Sequence, residues 1–259
     1  MDTQIHINYD SAFGEDDEMS QTDIHNALIA YLMEVLKRLF SGQRVGIFTS
    51  ISLYGDPLNP GNYRSPDLLV IDGLVSSPDQ EIASYTVNEQ NPAPRVLMEI
   101  CSESTWQLDI EAGIQQKPAI YARLGVPEYF ACDPHIVRIW TGAWLQQGRL
   151  VGWRLDRQTR QYVRIVPDVQ GRLWSEQLQS WLVMEGQSSR ELHLYDAKGQ
   201  LCLTGEEAAF QLVDIERQQK LAAQKQLKLE QAQLEVQRQR IAKLLERLQQ
   251  LDPDFDENN

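Results

Sequence analysis

The sequence predicts an α/β domain that continues into a β-rich extension and a long C-terminal helix. Three patterns support this fold class: an early amphipathic helix, short apolar runs separated by turn residues, and a final segment rich in Gln, Glu, Lys, Arg, Leu and Ala. With 259 residues, 42% of them hydrophobic, the chain can bury one sizeable core. We expect an acidic flexible N-terminus (1–20), a main domain (21–204) and a helical, partly coiled-coil tail (205–259).

The first predicted helix spans residues 22–40, with Thr22 or Asp23 as its N-cap. Its apolar residues recur every three or four positions and therefore form one continuous stripe. They are Ile24, Leu28, Tyr31, Leu32, Val35, Leu36, Leu39 and Phe40. We expect this stripe to pack on a sheet.

Two apolar runs after this helix predict the first strands. Val45–Ser52 is one strand. Residues 67–73, DLLVIDG, are the second, entered at Pro66 with Asp67 as the first residue. Turn residues between the two runs indicate a loop.

Residues 96–100, VLMEI, predict a central buried strand that carries one carboxylate, Glu99. A helix follows over Lys117–Leu124 and ends at Gly125. A further strand is predicted over Glu128–Cys132.

The region up to about Tyr195 alternates short apolar and polar pieces, which is typical of hairpins. The apolar pieces are Val137–Trp140, Leu150–Leu155, Tyr162–Val166 and Leu192–Tyr195. Residues 173–185 fit either a short helix or an edge element.

In the tail, Leu227, Leu234, Ile241 and Leu248 recur every seven residues. The companion core positions are polar in the first half, so the heptad pattern is incomplete there. Two interpretations stay open: homo-oligomerisation through residues 227–251, or an exposed helix without a partner.

Charge and cysteine content narrow the class of protein. The net charge of −13 argues against simple nucleic-acid binding, although the acidic excess is concentrated in the two terminal segments. No apolar run approaches the ~20 residues of a membrane helix, and the acidic N-terminus does not resemble a secretory signal. Three cysteines without zinc-type spacing indicate reduced thiols, so we expect a cytoplasmic protein without a membrane partner.

Asp67, Glu99 and Lys117 are the candidate site residues. A carboxylate buried in a sheet is costly unless it is paired or bound to a metal. If their strands are neighbours, Asp67 and Glu99 converge at one sheet edge, where Mg²⁺ or Mn²⁺ is the cation that suits them. Lys117 then stabilises developing negative charge or orients the attacking water. The alternative is that Asp67 ends a turn, Glu99 pairs with a base and Lys117 is solvated.

Three segments of the chain resemble the Uma-type family of restriction-endonuclease-like proteins, which belongs to the PD-(D/E)XK nuclease superfamily. They are SPDLLVIDG (65–73), PRVLMEICSEST (94–105) and KPAIYARLGVPEYFACDP (117–134). The resemblance covers most of residues 20–200. It implies a restriction-endonuclease-like core, in which a mixed sheet is flanked by the helix of residues 22–40 and a helix around 115–124.

The resemblance further implies a Mg²⁺- or Mn²⁺-dependent endonuclease that hydrolyses phosphodiester bonds in DNA. Asp67 and Glu99 are then catalytic and metal-binding, and Lys117 is the catalytic lysine. In the wider superfamily a lysine stands two residues beyond the glutamate, where this chain has Cys101. The family resemblance implies that Lys117, on the following helix, replaces it.

Two other functions stay open from the sequence. One is a catalytically silent nuclease-like module that binds nucleic acid or another partner, which the acidic balance favours. The other is a scaffold or assembly protein that acts through its coiled tail.

Several residues near these motifs have structural interpretations. His25 is either structural, solvated or directed to the site. Asp109 is an accessory acid or, as its more common role, a helix N-cap. Tyr121 and Tyr129 are interpreted as core residues, and the six tryptophans as core or hairpin packing rather than base-stacking platforms.

Overall fold

The computed structural model describes residues 23–74, 82–135, 137–185 and 191–251. The predicted flexible N-terminus and the Thr22 cap lie outside these ranges. The chain divides into a first compact unit that ends at Gly205 and a second that begins at Glu206.

The described residues form four α-helices, one 3-10 helix and eleven strands. The α-helices are α1 (Asp23–Leu39), α2 (Trp106–Ile110), α3 (Lys117–Leu124) and α4 (Gly205–Leu251), and the 3-10 helix is Gly142–Gln146. The strands are β1 (Val45–Phe48), β2 (Ser52–Tyr54), β3 (Leu68–Asp72), β4 (Ser84–Thr86), β5 (Val96–Ile100), β6 (Glu128–Cys132), β7 (Leu150–Leu155), β8 (Tyr162–Arg164), β9 (Leu173–Ser175), β10 (Ser180–Glu185) and β11 (Glu191–Asp196).

Six strands form the main sheet in the order β1-β3-β5-β6-β7-β8. Only β5 and β6 of these six run parallel; every other neighbouring pair is antiparallel. A separate antiparallel sheet has the order β11-β10-β9, and β2 pairs with β4 in a short parallel ribbon. The predicted α/β fold with a mixed sheet flanked by helices, a β-rich extension and a long C-terminal helix is confirmed.

The main sheet separates two hydrophobic cores. On one face, Leu32 and Leu36 of α1 pack with Val96, Met98 and other side chains of the sheet, together with residues of β10 and β11. On the other face, Leu97 packs with side chains from α2 and α3. Because neighbouring residues of a strand point to opposite faces, Glu99 lies on the same face as Leu97 and is directed toward α3.

The predicted first strand, Val45–Ser52, is in fact two strands. Ser50 has φ = 53°, a left-handed conformation that interrupts the extended chain between β1 and β2. The Ser50 N–H donates to the carbonyl of Pro66, which holds this break beside the start of β3. The two halves therefore join different sheets.

The β-rich extension also differs in detail from the prediction. Residues 137–140 form no strand, because the buried Asp133 carboxylate accepts the N–H groups of His135 and Ile139 and turns the chain there. Residues 173–185 form the hairpin β9–β10. β7 and β8 complete the main sheet instead of standing apart from it.

In the second unit, α4 displays its apolar residues to solvent. Leu227, Leu234 and Ile241 are 54%, 55% and 57% exposed. Among the described helices, none is long and apolar enough to cross a membrane.

Candidate active site

Asp67 and Glu99 converge at the end of two adjacent strands. Leu68 is paired with Met98 across β3 and β5, so Asp67, one residue earlier, stands opposite Glu99. The Asp67 Oδ2 atom accepts the Ile100 N–H at 2.7 Å, and the Glu99 Oε2 atom accepts the Asp67 N–H at 3.4 Å. Each carboxylate thus accepts a hydrogen bond from the backbone of the segment that carries the other. This arrangement is the one expected if the two strands are neighbours.

Lys117 reaches this pair from the first turn of α3. Its Nζ atom lies 3.1 Å from Glu99 Oε1 and 2.8 Å from Asp109 Oδ1, and its side chain is only 15% exposed. Pro118 in the first turn and Gly125 at the C-cap (φ = 83°) delimit the helix. The alternative of a solvated lysine is therefore wrong for Lys117.

Asp109 contacts the candidate site, in a position that the sequence did not predict. It lies inside α2, whose N-cap is Thr105, so the N-cap expectation for Asp109 is wrong. The Thr105 hydroxyl donates to Asp109 Oδ2 at 3.1 Å, while Oδ1 faces Lys117. Trp106, Asp109 and Ile110 are all buried at positions i, i+3 and i+4, but a helix of five residues is too short for this spacing to identify it from the sequence.

Two tyrosines interpreted as core residues also make polar contacts with the site. The Tyr121 hydroxyl donates to Glu99 Oε1 at 2.7 Å, and the Tyr129 hydroxyl donates to the Asp109 carbonyl at 2.7 Å. Their rings meet edge-to-face at 5.0 Å. Tyr121 follows Lys117 by one helical turn, so both side chains of α3 reach Glu99 from the same face.

His25 approaches from the other side of the sheet edge. Its Nε2 atom lies 3.1 Å from Asp67 Oδ2, and the two side chains are 11% and 13% exposed. Of the roles left open by the sequence, the structure therefore places His25 beside a candidate site residue.

The Lys117 ammonium contacts two carboxylates, those of Glu99 and Asp109, and Asp67 lies beside Glu99. The pKa of Glu99 is raised to about 8, mainly by burial and also by the negative charges of Asp67 and Asp109, against the opposing effects of Lys117 and the Tyr121 hydroxyl. Burial works against the charge of Lys117, yet Asp109 and Glu99 hold the pKa of its ammonium well above the usual value. Lys117 is thus cationic at neutral pH, and the cluster has an excess of acidic groups.

Asp67 and Glu99 are the carboxylates that could hold a cation at the sheet edge. Within the described ranges, no three or more Asp, Glu, His or Cys side chains form a group that could hold a metal ion by themselves. The pair nevertheless matches Mg²⁺, which is commonly bound by one or two carboxylates with water and substrate phosphate oxygens as the other ligands.

Cys101 lies two residues beyond Glu99 in the sequence. The residue is buried with the apolar side chains on the Glu99 face of the sheet. Burial raises the pKa of its thiol well above the ordinary value, so Cys101 supplies no charge to the site. Lys117 is the described cation that contacts Glu99.

Comparison with known proteins identifies the family. The Uma2 family model, described as a putative restriction endonuclease, matches residues 2–184. No curated protein matches the chain. A solved structure of a putative nuclease belonging to DUF820, from Anabaena variabilis ATCC 29413, has 14% sequence identity and a TM-score of 0.37, over 65% of this chain and 75% of that one. On the family match, the chain belongs to the Uma2 family of putative restriction endonucleases.

Proposed function

We propose that this protein is a metal-dependent endonuclease that hydrolyses phosphodiester bonds in DNA. The observation that carries the proposal is the position of Glu99, whose carboxylate lies within hydrogen-bonding distance of both the Lys117 ammonium and the Asp67 N–H at the ends of two adjacent strands. Membership of a family described as putative restriction endonucleases supports the same reaction class.

Asp67 and Glu99 would hold the metal ion, Mg²⁺ or Mn²⁺. Their oxygen ligands suit these ions, and a divalent cation would stabilise the ionised form of Glu99, which burial and the charges of Asp67 and Asp109 disfavour. When bound, such an ion polarises a phosphoryl oxygen and lowers the pKa of a coordinated water molecule.

Lys117 would supply a fixed positive charge for the phosphate that reacts. Its ammonium is held between Glu99 and Asp109, so little reorganisation is needed when negative charge develops. Asp109 and Tyr121 act as positioning residues: Asp109 orients the ammonium, and Tyr121 orients the Glu99 carboxylate. His25 would position Asp67 in the same way.

Plasmid nicking tests the proposed function. We expect the wild type to nick supercoiled DNA with Mg²⁺ and not with EDTA, and we expect Asp67→Ala and Glu99→Ala to be inactive because each loses a metal ligand. Asp72→Asn is the matched control, since Asp72 lies at the other end of β3 and pairs with Arg95 at the surface. Binding of DNA without cleavage by the wild type would instead support the catalytically silent module that the acidic charge favours.

The tail offers a second candidate function, self-assembly. Leu234 and Ile241 belong to the seven-residue repeat and are more than half exposed on α4, so a second copy of the chain would cover them in a coiled coil. We expect the wild type to have the mass of an oligomer and the Leu234→Glu/Ile241→Glu variant to have the mass of a monomer, as measured by light scattering. Val236→Glu is the control because Val236 is exposed and lies off this repeat. A monomeric wild type would contradict self-assembly.

A further inference from the structure

An open cavity of about 430 Å³ lies beside the C-terminal end of β8, in the range typical of small-ligand sites. We call it the Arg164 pocket. Its lining includes Trp144, Gln147, Arg164 and Val166. It therefore combines an indole ring, a cation and an apolar wall.

The guanidinium of Arg164 lies between two indole rings, 5.0 Å from the centroid of Trp144 and 5.0 Å from that of Trp153. Its Nε atom is buried without a hydrogen-bond partner, and the side chain forms no ion pair with any residue in the described ranges. Burial accordingly lowers the pKa of Arg164, although a guanidinium remains charged.

Among the described residues, two other arginines also stack on aromatic rings, but unlike Arg164 each of them forms an ion pair with a carboxylate. Arg172 lies 4.5 Å from the Trp181 ring and pairs with Asp168, and Arg95 stacks on a phenylalanine and pairs with an aspartate. Arg164 has no such carboxylate partner among the described residues, and a partly buried charge without a partner is costly. An anionic ligand in the Arg164 pocket would remove this cost.

The wall of the pocket is fixed before any ligand binds. The Arg138 guanidinium donates to the carbonyls of Trp144 at 3.2 Å, Leu145 at 2.7 Å and Gln147 at 2.8 Å. Trp140 also contacts the Trp144 ring edge-to-face at 6.3 Å. The 3-10 helix that carries Trp144 is thus tied down, which lowers the entropy cost of binding.

Phosphate is the anion that fits this arrangement best. A guanidinium presents its N–H donors in a planar fork that matches two phosphate oxygens. Trp144 and the exposed Val166 beside it offer a surface for a flat apolar group such as a base. Phosphate and base together describe a nucleotide.

The pocket lies on the same face of the main sheet as the candidate active site. The Trp153 ring stacks on Tyr129 at 5.1 Å, Tyr129 meets Tyr121 edge-to-face at 5.0 Å, and the Tyr121 hydroxyl binds Glu99. These three rings are buried, so they connect the pocket to the site through the interior of the domain.

We propose that the Arg164 pocket binds one nucleotide of a single nucleic-acid strand, with its phosphate on Arg164 and its base against Trp144 and Val166. This inference rests on the proposed nuclease function, because it makes the bound nucleotide part of the nucleic acid that the enzyme cleaves. It assigns to Trp144 a ligand-binding role beyond the packing role expected from the sequence.

Fluorescence anisotropy with a labelled single-stranded oligonucleotide tests the proposal, using the full chain in EDTA at fixed salt. We expect Arg164→Gln and Trp144→Leu each to weaken binding by about tenfold. Arg172→Gln is the matched control: it removes an arginine that stacks on tryptophan, but one that already has a carboxylate partner, and binding should change less than twofold. Equal affinity of wild type and Arg164→Gln would overturn the proposal.

A conservative variant and two competitors exclude a merely structural effect. Arg164→Lys keeps a cation beside both rings but cannot present the fork, so we expect intermediate affinity with an unchanged melting temperature. Thymidine monophosphate should displace the oligonucleotide from the wild type at a lower concentration than inorganic phosphate does. Equal competition by the two would contradict the base contact.

The outcome is separable from that of the proposed nuclease. Binding that depends on Arg164 in a protein that does not nick DNA would uphold the pocket and reject the nuclease. Nicking with Mg²⁺ by a protein whose DNA affinity does not respond to Arg164→Gln would uphold the nuclease and reject the pocket.

Discussion

The Lys117→Met variant is expected to lose DNA cleavage by about 10²–10³-fold without losing affinity for Mg²⁺. Lys117 is the described cation that contacts Glu99, and its ammonium is fixed by two carboxylates. The ammonium would stabilise the negative charge that develops on the phosphate, whereas Asp67 and Glu99 would bind the metal. Nicking rates and calorimetric Mg²⁺ titrations of wild type and variant measure the two effects separately.

The same substitution is expected to destabilise the fold by about 3–5 kcal/mol, because it leaves Asp109 as a buried charge without its partner. Adding Asp109→Asn should recover much of that stability, since the uncompensated charge is removed. The double variant should stay inactive. Stability recovered together with activity would show that Lys117 has only a structural role.

Lys37→Met is the control for Lys117→Met. Lys37 also lies on a helix and pairs with a carboxylate, that of Glu34 at 3.0 Å, but both side chains are exposed. An exposed pair contributes roughly 0–1 kcal/mol, so this variant should fold and cleave like the wild type.

The Glu99→Gln variant is expected to abolish cleavage and, without metal, to become more stable than the wild type as pH rises. The folded-state pKa of Glu99 is about 8, against an ordinary value of 4.5. Between these two values the unfolded chain has released the proton that the folded protein retains. The folded state thus binds more protons, and its stability falls as pH increases.

The unfolding free energy of the wild type should fall by up to about 1.4 kcal/mol per pH unit between pH 4.5 and 8. Gln cannot titrate, while its side-chain oxygen can still accept from Tyr121 and Lys117. The difference in unfolding free energy between variant and wild type should therefore grow across this window and level off above it. Denaturant unfolding in EDTA at several pH values measures the difference, and a constant difference would contradict an elevated pKa for Glu99.

Candidate site residues could be recognised in the sequence where a charged side chain stands in or beside an apolar run. Glu99 interrupts an apolar strand, Asp67 opens the neighbouring one, and Lys117 begins a helix with clear ends. Such residues are visible without knowing the strand order. The helix α1 was equally clear because its stripe extends over several turns.

Contacts between residues on different helices and strands could not be predicted from the sequence. Asp109 lies on a helix of five residues, which is too short for periodicity to be distinctive, and its partner Lys117 belongs to another element. Tyr121 was correctly expected to be buried, but the bond from its hydroxyl to Glu99 depends on how α3 packs on the sheet.

The strand pairing of the β-rich extension could likewise not be predicted from the sequence. Alternation predicted the hairpin-like pieces, including β7 over residues 150–155, but alternation does not specify the neighbouring strand. β7 pairs with β6 and so extends the main sheet. Residues 137–140 depart from the expected strand because the buried carboxylate of Asp133 captures nearby N–H groups.

Binding of Mn²⁺ to the protein in solution tests the central claim most directly, namely that Asp67 and Glu99 together hold a divalent cation. Electron paramagnetic resonance detects free aqueous Mn²⁺, so bound metal is measured by the signal that is lost. We expect the wild type to bind Mn²⁺ at a site that Mg²⁺ competes for, and we expect Asp67→Asn and Glu99→Gln each to abolish that binding while Asp72→Asn retains it. Undiminished binding in both site variants, or no binding by the wild type, would contradict the proposed active site.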